Sequence, residues 1–345
     1  MERCVLVAMM CFCAEAVLAQ SFPSPQPSPK ATVVQTVGIA EVSVVYCRPS
    51  VRDRKVWGDL VPYGQVWRAG ANENTVVSFS HAVKVEGKDL PAGQYGLHSI
   101  PTQGMWTVIF SRNATSWGSF TYDPNEDALR VEVSPEQAPY EESLQYTFED
   151  VTDHSATLRL HWERLSVPVR LSFDMPGIVV ENARTSYLRG LAQFGWQGWN
   201  QAANYCLQNS VNMEEAIRWC DRSIAINKTF QNLWTKAGLL DKLGKASEVA
   251  AIRKEAYAIA TEGDINNLGY QYMGENRMKD AIDIFKKNVK DYPKSWNVYD
   301  SLAEAYDKSG EKKLAMENYK KALSLVRDET QKKRIAQTLQ RLETL

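Results

Sequence analysis

VPVRLSFDMPGIVV, residues 167–180, is where the chain changes its period. Up to Asp174 the apolar residues Val167, Val169, Leu171 and Phe173 fall two apart, as on a strand with one buried face. Met175-Pro176-Gly177 ends that alternation, and from Trp196 onward the sequence reads as helix to its end. The chain therefore divides into a β-rich part over residues 31–174 and an all-α part over residues 196–329 with an end helix over 330–345. Residues 175–195, including a short run Ile178–Arg189, connect them.

Read back from the break, Leu158, Leu160 and Trp162 point one way while Arg159, His161 and Glu163 point the other. The same alternation marks Leu144–Phe148, Leu129–Val133 and Val42–Tyr46, and Val77 and Phe79 fall two apart. Met105–Phe110 is apolar on both faces except at Thr107, as a central strand is. Gly87 with Lys88, and Pro91-Ala92-Gly93, read as turns around a strand over Gln94–Ile100. About eight or nine short strands without helical crossovers predict an antiparallel β-sandwich. Pro168, on the outer register of the last strand, argues for an edge position there.

One stretch of this part keeps neither period. Tyr46–Val76, YCRPSVRDRKVWGDLVPYGQVWRAGANENTV, is punctuated by Pro49, Gly58, Pro62, Gly64 and Gly70. Trp57, Tyr63 and Trp67 bring apolar faces that argue against disorder, so a long ordered loop is expected, and such loops are commonly functional. It also carries Arg48, Arg52, Arg54, Lys55 and Arg68, then Asn72, Glu73 and Asn74.

Further upstream, SFPSPQPSP (Ser21–Pro29) places proline at alternate positions, as in an extended spacer over residues 20–30. Residues 1–19 have Arg3, an apolar run Val5–Ala14 and small residues at Ala16 and Ala19, the order of a secretory signal cut near Ala19. That run is too short to span a bilayer, and the alternative is a form lipid-anchored through Cys11 or Cys13. The expected address is the periplasm or the exterior, without stable membrane insertion. Cys47, Cys206 and Cys220 remain after such a cut, and Cys206 and Cys220 could either bridge or stay as two buried thiols.

Downstream, the helical part repeats itself when shifted from Leu268 to Leu302. Gly269, Tyr272, Ala281 and Phe285 fall on Ala303, Tyr306, Ala315 and Tyr319. Small residues allow two helices to approach and large ones fill the groove beside them. This period and these residue classes resemble tetratricopeptide repeats. Units over Glu262–Ser295 and Trp296–Glu329 are clear, and Trp199–Lys228 and Thr229–Thr261 are degenerate ones. Asn200, Asn204, Asn232, Asn266, Tyr270 and Asn297, on the first helix of each unit, are the candidate contacts for a peptide or protein partner.

The segments CRPSVRDRKVWG, LVPYGQVWRAGANENT, LPAGQYGLHSIP and MWTVIF resemble the domain-of-unknown-function family 2911 over about Ala31–Asp174. The resemblance implies a bacterial, exported, β-rich domain, often followed by helical repeats, and lends no catalytic residues. His98 departs from the pattern, where an aromatic or aliphatic residue is expected.

Of 345 residues, 40 are basic and 41 acidic, and that balance does not ask for nucleic acid or an anionic surface. Among the loop residues, Arg48, Arg54 and Arg68 are candidate clamps for a polar or anionic ligand or glycan, because a guanidinium pairs with carboxylate or phosphate through two hydrogen bonds. Trp57, Tyr63 and Trp67 could stack on that ligand, with Asn72 and Glu73 beside them. The competing reading pairs the arginines with Glu41, Asp53, Asp59 or Glu73 and packs the aromatics into the core. No motif for a nucleophile, phosphate loop or metal stands out, and no cofactor is expected. The favoured function is a non-enzymatic binding protein whose sandwich holds a ligand and whose repeats dock a partner. The alternatives are an envelope polysaccharide or peptide hydrolase using Glu73, His98 and an arginine of the loop, and a purely structural interaction protein.

Overall fold

The computed structural model describes residues 24–344, so the signal and any lipid anchor fall outside the described residues. It divides into two compact units, one ending at Met175 and one starting at Pro176.

The first unit holds β1 (Lys30–Val37), β2 (Ala40–Cys47), β3 (Thr75–Phe79), β4 (Val83–Val85), β5 (Lys88–Leu90), β6 (Gly93–Ile100), β7 (Trp106–Ser111), β8 (Asp127–Val133), β9 (Glu136–Glu149) and β10 (Ser155–Ser172). They form two antiparallel sheets, one in the order β1-β2-β3-β6-β7-β8 and one in the order β5-β4-β10-β9. The β4–β5 turn needs left-handed backbone at both central residues, Glu86 (φ 47°) and Gly87 (φ 78°), which is the primed hairpin geometry that glycine favours. Leu97 and Val108 of the first sheet and Leu158, Leu160, Val167 and Val169 of the second line one apolar cavity of about 20 Å³. That is room for about one water and no more.

Two expectations are corrected here. The runs 158–162 and 167–172 are not separate strands but parts of β10, which is 18 residues long, and Phe173 follows its end. The apolar register passes from even to odd positions between Trp162 and Val167 because Glu163 (φ 57°) forms a bulge, with register shifts on both sides of it. An extra residue in one strand inverts which face its side chains take. β10 is also an inner strand. Pro168 is tolerated because pairing with β9 ends at Ser166 and pairing with β4 begins at Leu171.

The second unit begins in a helix where only a connector was expected: α1 (Met175–Thr185) precedes two short 3-10 turns. Four antiparallel pairs follow: α2 (Trp196–Asn209) with α3 (Met213–Ile226), α4 (Phe230–Lys242) with α5 (Ala246–Ile259), α6 (Glu262–Gly274) with α7 (Met278–Asp291), and α8 (Trp296–Lys308) with α9 (Lys312–Leu325). A last helix, α10 (Glu329–Thr344), covers the end of the stack with Ile335, Leu339 and Leu342. Within pairs the contact is made by residues too small to hold the helices apart. A Cβ added at Gly269 would lie 2.4 Å from the Phe285 ring. Thr229 with Asn232, and Thr261 with Asp264, cap α4 and α6 reciprocally, which fixes where the first helix of these two pairs starts.

Cys206 and Cys220 are separate buried thiols, and burial pushes them up to about 11 and about 12. Among the described residues, no helix is long and apolar enough to cross a membrane, and no group of acidic, His and Cys side chains gathers that could hold a metal.

Candidate functional site

The loop between β2 and β3 leaves many carbonyls without a ladder partner, and buried or half-buried carbonyls need donors. Of the three candidate arginines, Arg54 meets that need within the loop and Arg48 ties the loop to β9. Arg48 donates Nε to the Leu144 carbonyl at 2.9 Å, and Arg54 donates Nε to Val51 O at 2.9 Å and Nη2 to Ser50 O at 2.6 Å. Neither pairs with a carboxylate among the described residues. Arg52, which is exposed, donates Nη2 to Pro27 O. The arginines thus staple the loop to itself, to β9 and to the preceding proline-rich segment, an arrangement that neither expected reading contained.

The aromatics of the loop are divided. Trp57 is buried edge-on against Trp106 of β7 at 4.9 Å and Trp162 of β10 at 5.6 Å, so one ring joins side chains of both sheets. Trp67 packs on the same cluster, 5.9 Å from Trp162, and donates Nε1 to Gly70 O. Both are engaged in packing. Tyr63 is 38% exposed and lines an uncharged cleft with Thr102, Gln103, Met105 and Gln137.

Asn72 donates to Ser28 O, and Glu73 accepts from the Cys47 thiol at 3.2 Å. Its own backbone amide and that thiol hold the Glu73 carboxyl below its usual range, while burial and Glu73 push Cys47 up. His98 is 2% exposed, with Nδ1 at 2.9 Å from Ser119 Oγ and Nε2 at 3.4 Å from Asn74 Nδ2. Burial lowers it to about 4, so it is neutral at pH 7. Glu73 and His98 share no hydrogen bond. Each is tied to different partners, and the hydrolase pair finds no support in this geometry.

Arg68 behaves differently from the other two. It is half-buried, its Nε is buried without a hydrogen-bond partner, and burial lowers its pKa. Its guanidinium lies 6.0 Å from the centre of the Trp117 ring. Trp117 is 62% exposed and Phe120 80% exposed, their rings nearly parallel at 15°. The reading of the sequence missed these two aromatics because they sit on the β7–β8 connection, far from the arginine-rich stretch. The signal was present as WGSF (Trp117–Phe120), two large aromatics around a glycine in a segment with no strand period.

In the helical unit, residues of α2, α4 and α6 line a groove of about 740 Å³. Asn200 and Asn204 are among them, and Asn200 Oδ1 is buried without a partner. Of the other expected contacts, Asn266 is not on the groove and its Oδ1 is also buried without a partner, while three are engaged within the stack. Asn232 is fully buried in its cap, Asn297 donates to Glu262 Oε1, and Tyr270 donates to Glu304 Oε2 at 2.8 Å. Asn267, one residue beyond the expected Asn266, faces the groove, together with Gln271, Trp234 and Tyr272. Arg253 lies over Trp234 at 5.5 Å and Arg277 over Tyr272 at 4.1 Å. Lys242, Arg253 and Arg277 are balanced by Asp241, Asp264 and Glu275 along the same walls.

No curated protein matches the chain. Among solved structures, MamA 41-end from Desulfovibrio magneticus RS-1 is similar over 43% of this chain and 84% of its own, at 18% identity and a TM-score of 0.27. YrrB, a TPR protein with an unusual peptide-binding site, is similar over 48% of this chain and 89% of its own, at 12% identity and a TM-score of 0.27. Residues 28–171, the span in which the tryptophan, proline and arginine segments suggested it, match the model of the family described as "Protein of unknown function (DUF2911)".

Proposed function

We propose that the chain is an exported, non-catalytic interaction protein. Its helical unit holds an extended segment of a partner protein in the groove of α2, α4 and α6. Its β unit, packed as a sandwich, holds a polar or anionic ligand beside Arg68. The observation that carries the reading is the unpartnered Asn200 Oδ1 on a groove wall that also presents Asn204 and Asn267. Buried amides without partners are costly, and the amides and carbonyls of an extended chain supply what they lack. Balanced charge along the walls favours recognition of backbone over recognition of a charged sequence. For the sandwich, support comes from the cavity lined from both sheets and from Trp57, which touches Trp106 and Trp162 together. Export rests on residues 1–19, and sequencing the mature N-terminus from the exported fraction of expressing cells tests it.

The docking reading is tested by panning displayed random peptides on the full chain, then measuring the enriched peptides against Asn200→Ala/Asn204→Ala/Asn267→Ala. A loss of about tenfold or more in affinity with an unchanged melting curve is expected. Equal retention by the triple variant overturns it.

A further inference from the structure

The ligand proposed beside Arg68 can be given a chemical class, an inference that rests on that reading. We propose that Trp117, Phe120 and Arg68 together bind a saccharide that carries a carboxylate.

Three observations converge. First, the two aromatic faces are open to solvent although the segment bearing them is fastened. The Asn74 amide donates to Ser116 O at 3.0 Å, Asn74 Nδ2 donates to Asn113 O, Ser119 Oγ meets His98 Nδ1, and Tyr122 donates to Asp127 Oδ2 at 2.8 Å. A platform held this way loses little freedom on binding, whereas a loose loop would have to be ordered first. Second, the two rings lie nearly parallel with centroids 6.2 Å apart, and the exposed ring surface of each makes an apolar ledge. A pyranose presents a flat patch of C–H bonds of matching shape, and its hydroxyls stay in water at the rim. Third, the cation beside the ledge is not neutralised. No carboxylate lies within ion-pair range of Arg68 among the described residues, its Nε has no acceptor, and 6.0 Å from the Trp117 centroid is the outer limit of a useful cation–π contact. A half-desolvated guanidinium favours an anion that can accept two hydrogen bonds, and a sugar carboxylate beside a stacked ring does so. Gly118 makes the arrangement possible. Its φ of +76° turns the chain between the two aromatics, and a Cβ there would stand 3.0 Å from the Phe120 ring and 3.3 Å from Arg68 Nη1.

The test titrates the full chain with three probes, following tryptophan fluorescence and heat. These are an oligogalacturonate, its methyl ester, which keeps the rings and removes the charge, and glutarate, which keeps carboxylates and has no ring. The oligogalacturonate is expected to bind about tenfold or more tightly than its ester, with glutarate weakest. Arg68→Gln should erase the difference between acid and ester. Trp117→Ala and Phe120→Ala, exposed and expected to fold normally, should weaken both saccharides by about tenfold. Glutarate binding as tightly as the oligosaccharide overturns the sugar class and leaves an anionic ligand at Arg68 standing. Binding of every probe unchanged by Arg68→Gln, or no binding at all, overturns both. Saccharide binding unchanged in the Trp117 and Phe120 variants overturns the ledge.

Discussion

The loop before β3 and the groove of the helical unit are both rich in polar side chains, yet they dispose of them in opposite ways. In the loop the backbone has no ladder, and its side chains go to backbone carbonyls: Arg54 to Ser50 O within the loop, Arg48 to Leu144 O of β9 and Asn72 to Ser28 O. In the helices the backbone satisfies itself turn by turn, and side chains such as Asn204 and Asn267 face the groove. Polar residues in irregular chain are therefore first claimed by the fold, whereas on the first helix of a repeat the fold claims some, such as Asn232 and Asn297, and leaves others, such as Asn204 and Asn267, on the groove. Among the candidate arginines Arg68 is the exception, since its Nε is unpartnered, and that is why the ligand is placed there.

The largest effect that would break this contrast lies in the tryptophan cluster. Trp162 is fully buried against Trp57 and Trp67, and Trp162→Ala is expected to cost about 3–5 kcal/mol in denaturant unfolding of the β unit. Trp234 lies half-buried on the groove wall, stacked on Phe230 at 5.2 Å, and its replacement by Ala should cost less than half as much. Equal losses would mean that the groove wall is core and not a docking face.

His98 sharpens the contrast through pH. Its folded value near 4 lies below the ordinary 6.5, so between these two pH values the unfolded chain binds a proton that the folded chain refuses. Its contribution is complete above 6.5 and is lost as pH falls toward 4, by about 3 kcal/mol across the window. His98→Gln should remove most of that acid sensitivity, read as the shift in denaturant midpoint between pH 7 and pH 4.5. An identical shift in both proteins would show that His98 is not held neutral by burial.

Next in size is Arg48→Ala. A charged hydrogen bond to a half-buried carbonyl contributes about 1.5–3 kcal/mol, so the melting temperature should fall while saccharide binding at Trp117 stays the same. Retained stability would place Arg48 among the side chains left for a ligand and remove the contrast at its strongest point.

Much of this was legible in the sequence, for identifiable reasons. The helical pairs follow from small residues at fixed spacing, because Ala203, Ala281, Ala303 and Ala315 are the points where helices meet, and no partner beyond the unit is needed to read them. Strands with one buried face were legible through their period of two. The bulge at Glu163 was not, although the change of parity between Trp162 and Val167 encodes it, because two short strands and one bulged strand give the same run of apolar positions. β1, β4 and β5 escaped because the outer strand KATVVQTV leaves Val34 52% exposed and the other two span three residues each. The partners of the arginines could not be read at all. They are carbonyls, which carry no residue identity, and Leu144 is distant from Arg48 in the chain. The asparagine face was misplaced by one residue, Asn266 for Asn267, since one step rotates a helix by about 100°.

The smallest stability effect belongs to Asn204→Ala, and the smallness is the point. An amide that faces a groove and serves no cap can be removed without leaving a buried partner unsatisfied, so a change within about 0.5 kcal/mol is expected. Asn232→Ala removes a side chain that donates to Ser223 Oγ and Asn227 O and caps α4, and should cost about 1–2 kcal/mol more. Comparing the two in the same helical unit separates an asparagine used by the fold from one left for a partner, with residue type held constant. If Asn204→Ala destabilises as much as Asn232→Ala, the groove amides are structural, and helices claim their polar side chains as fully as the loop does.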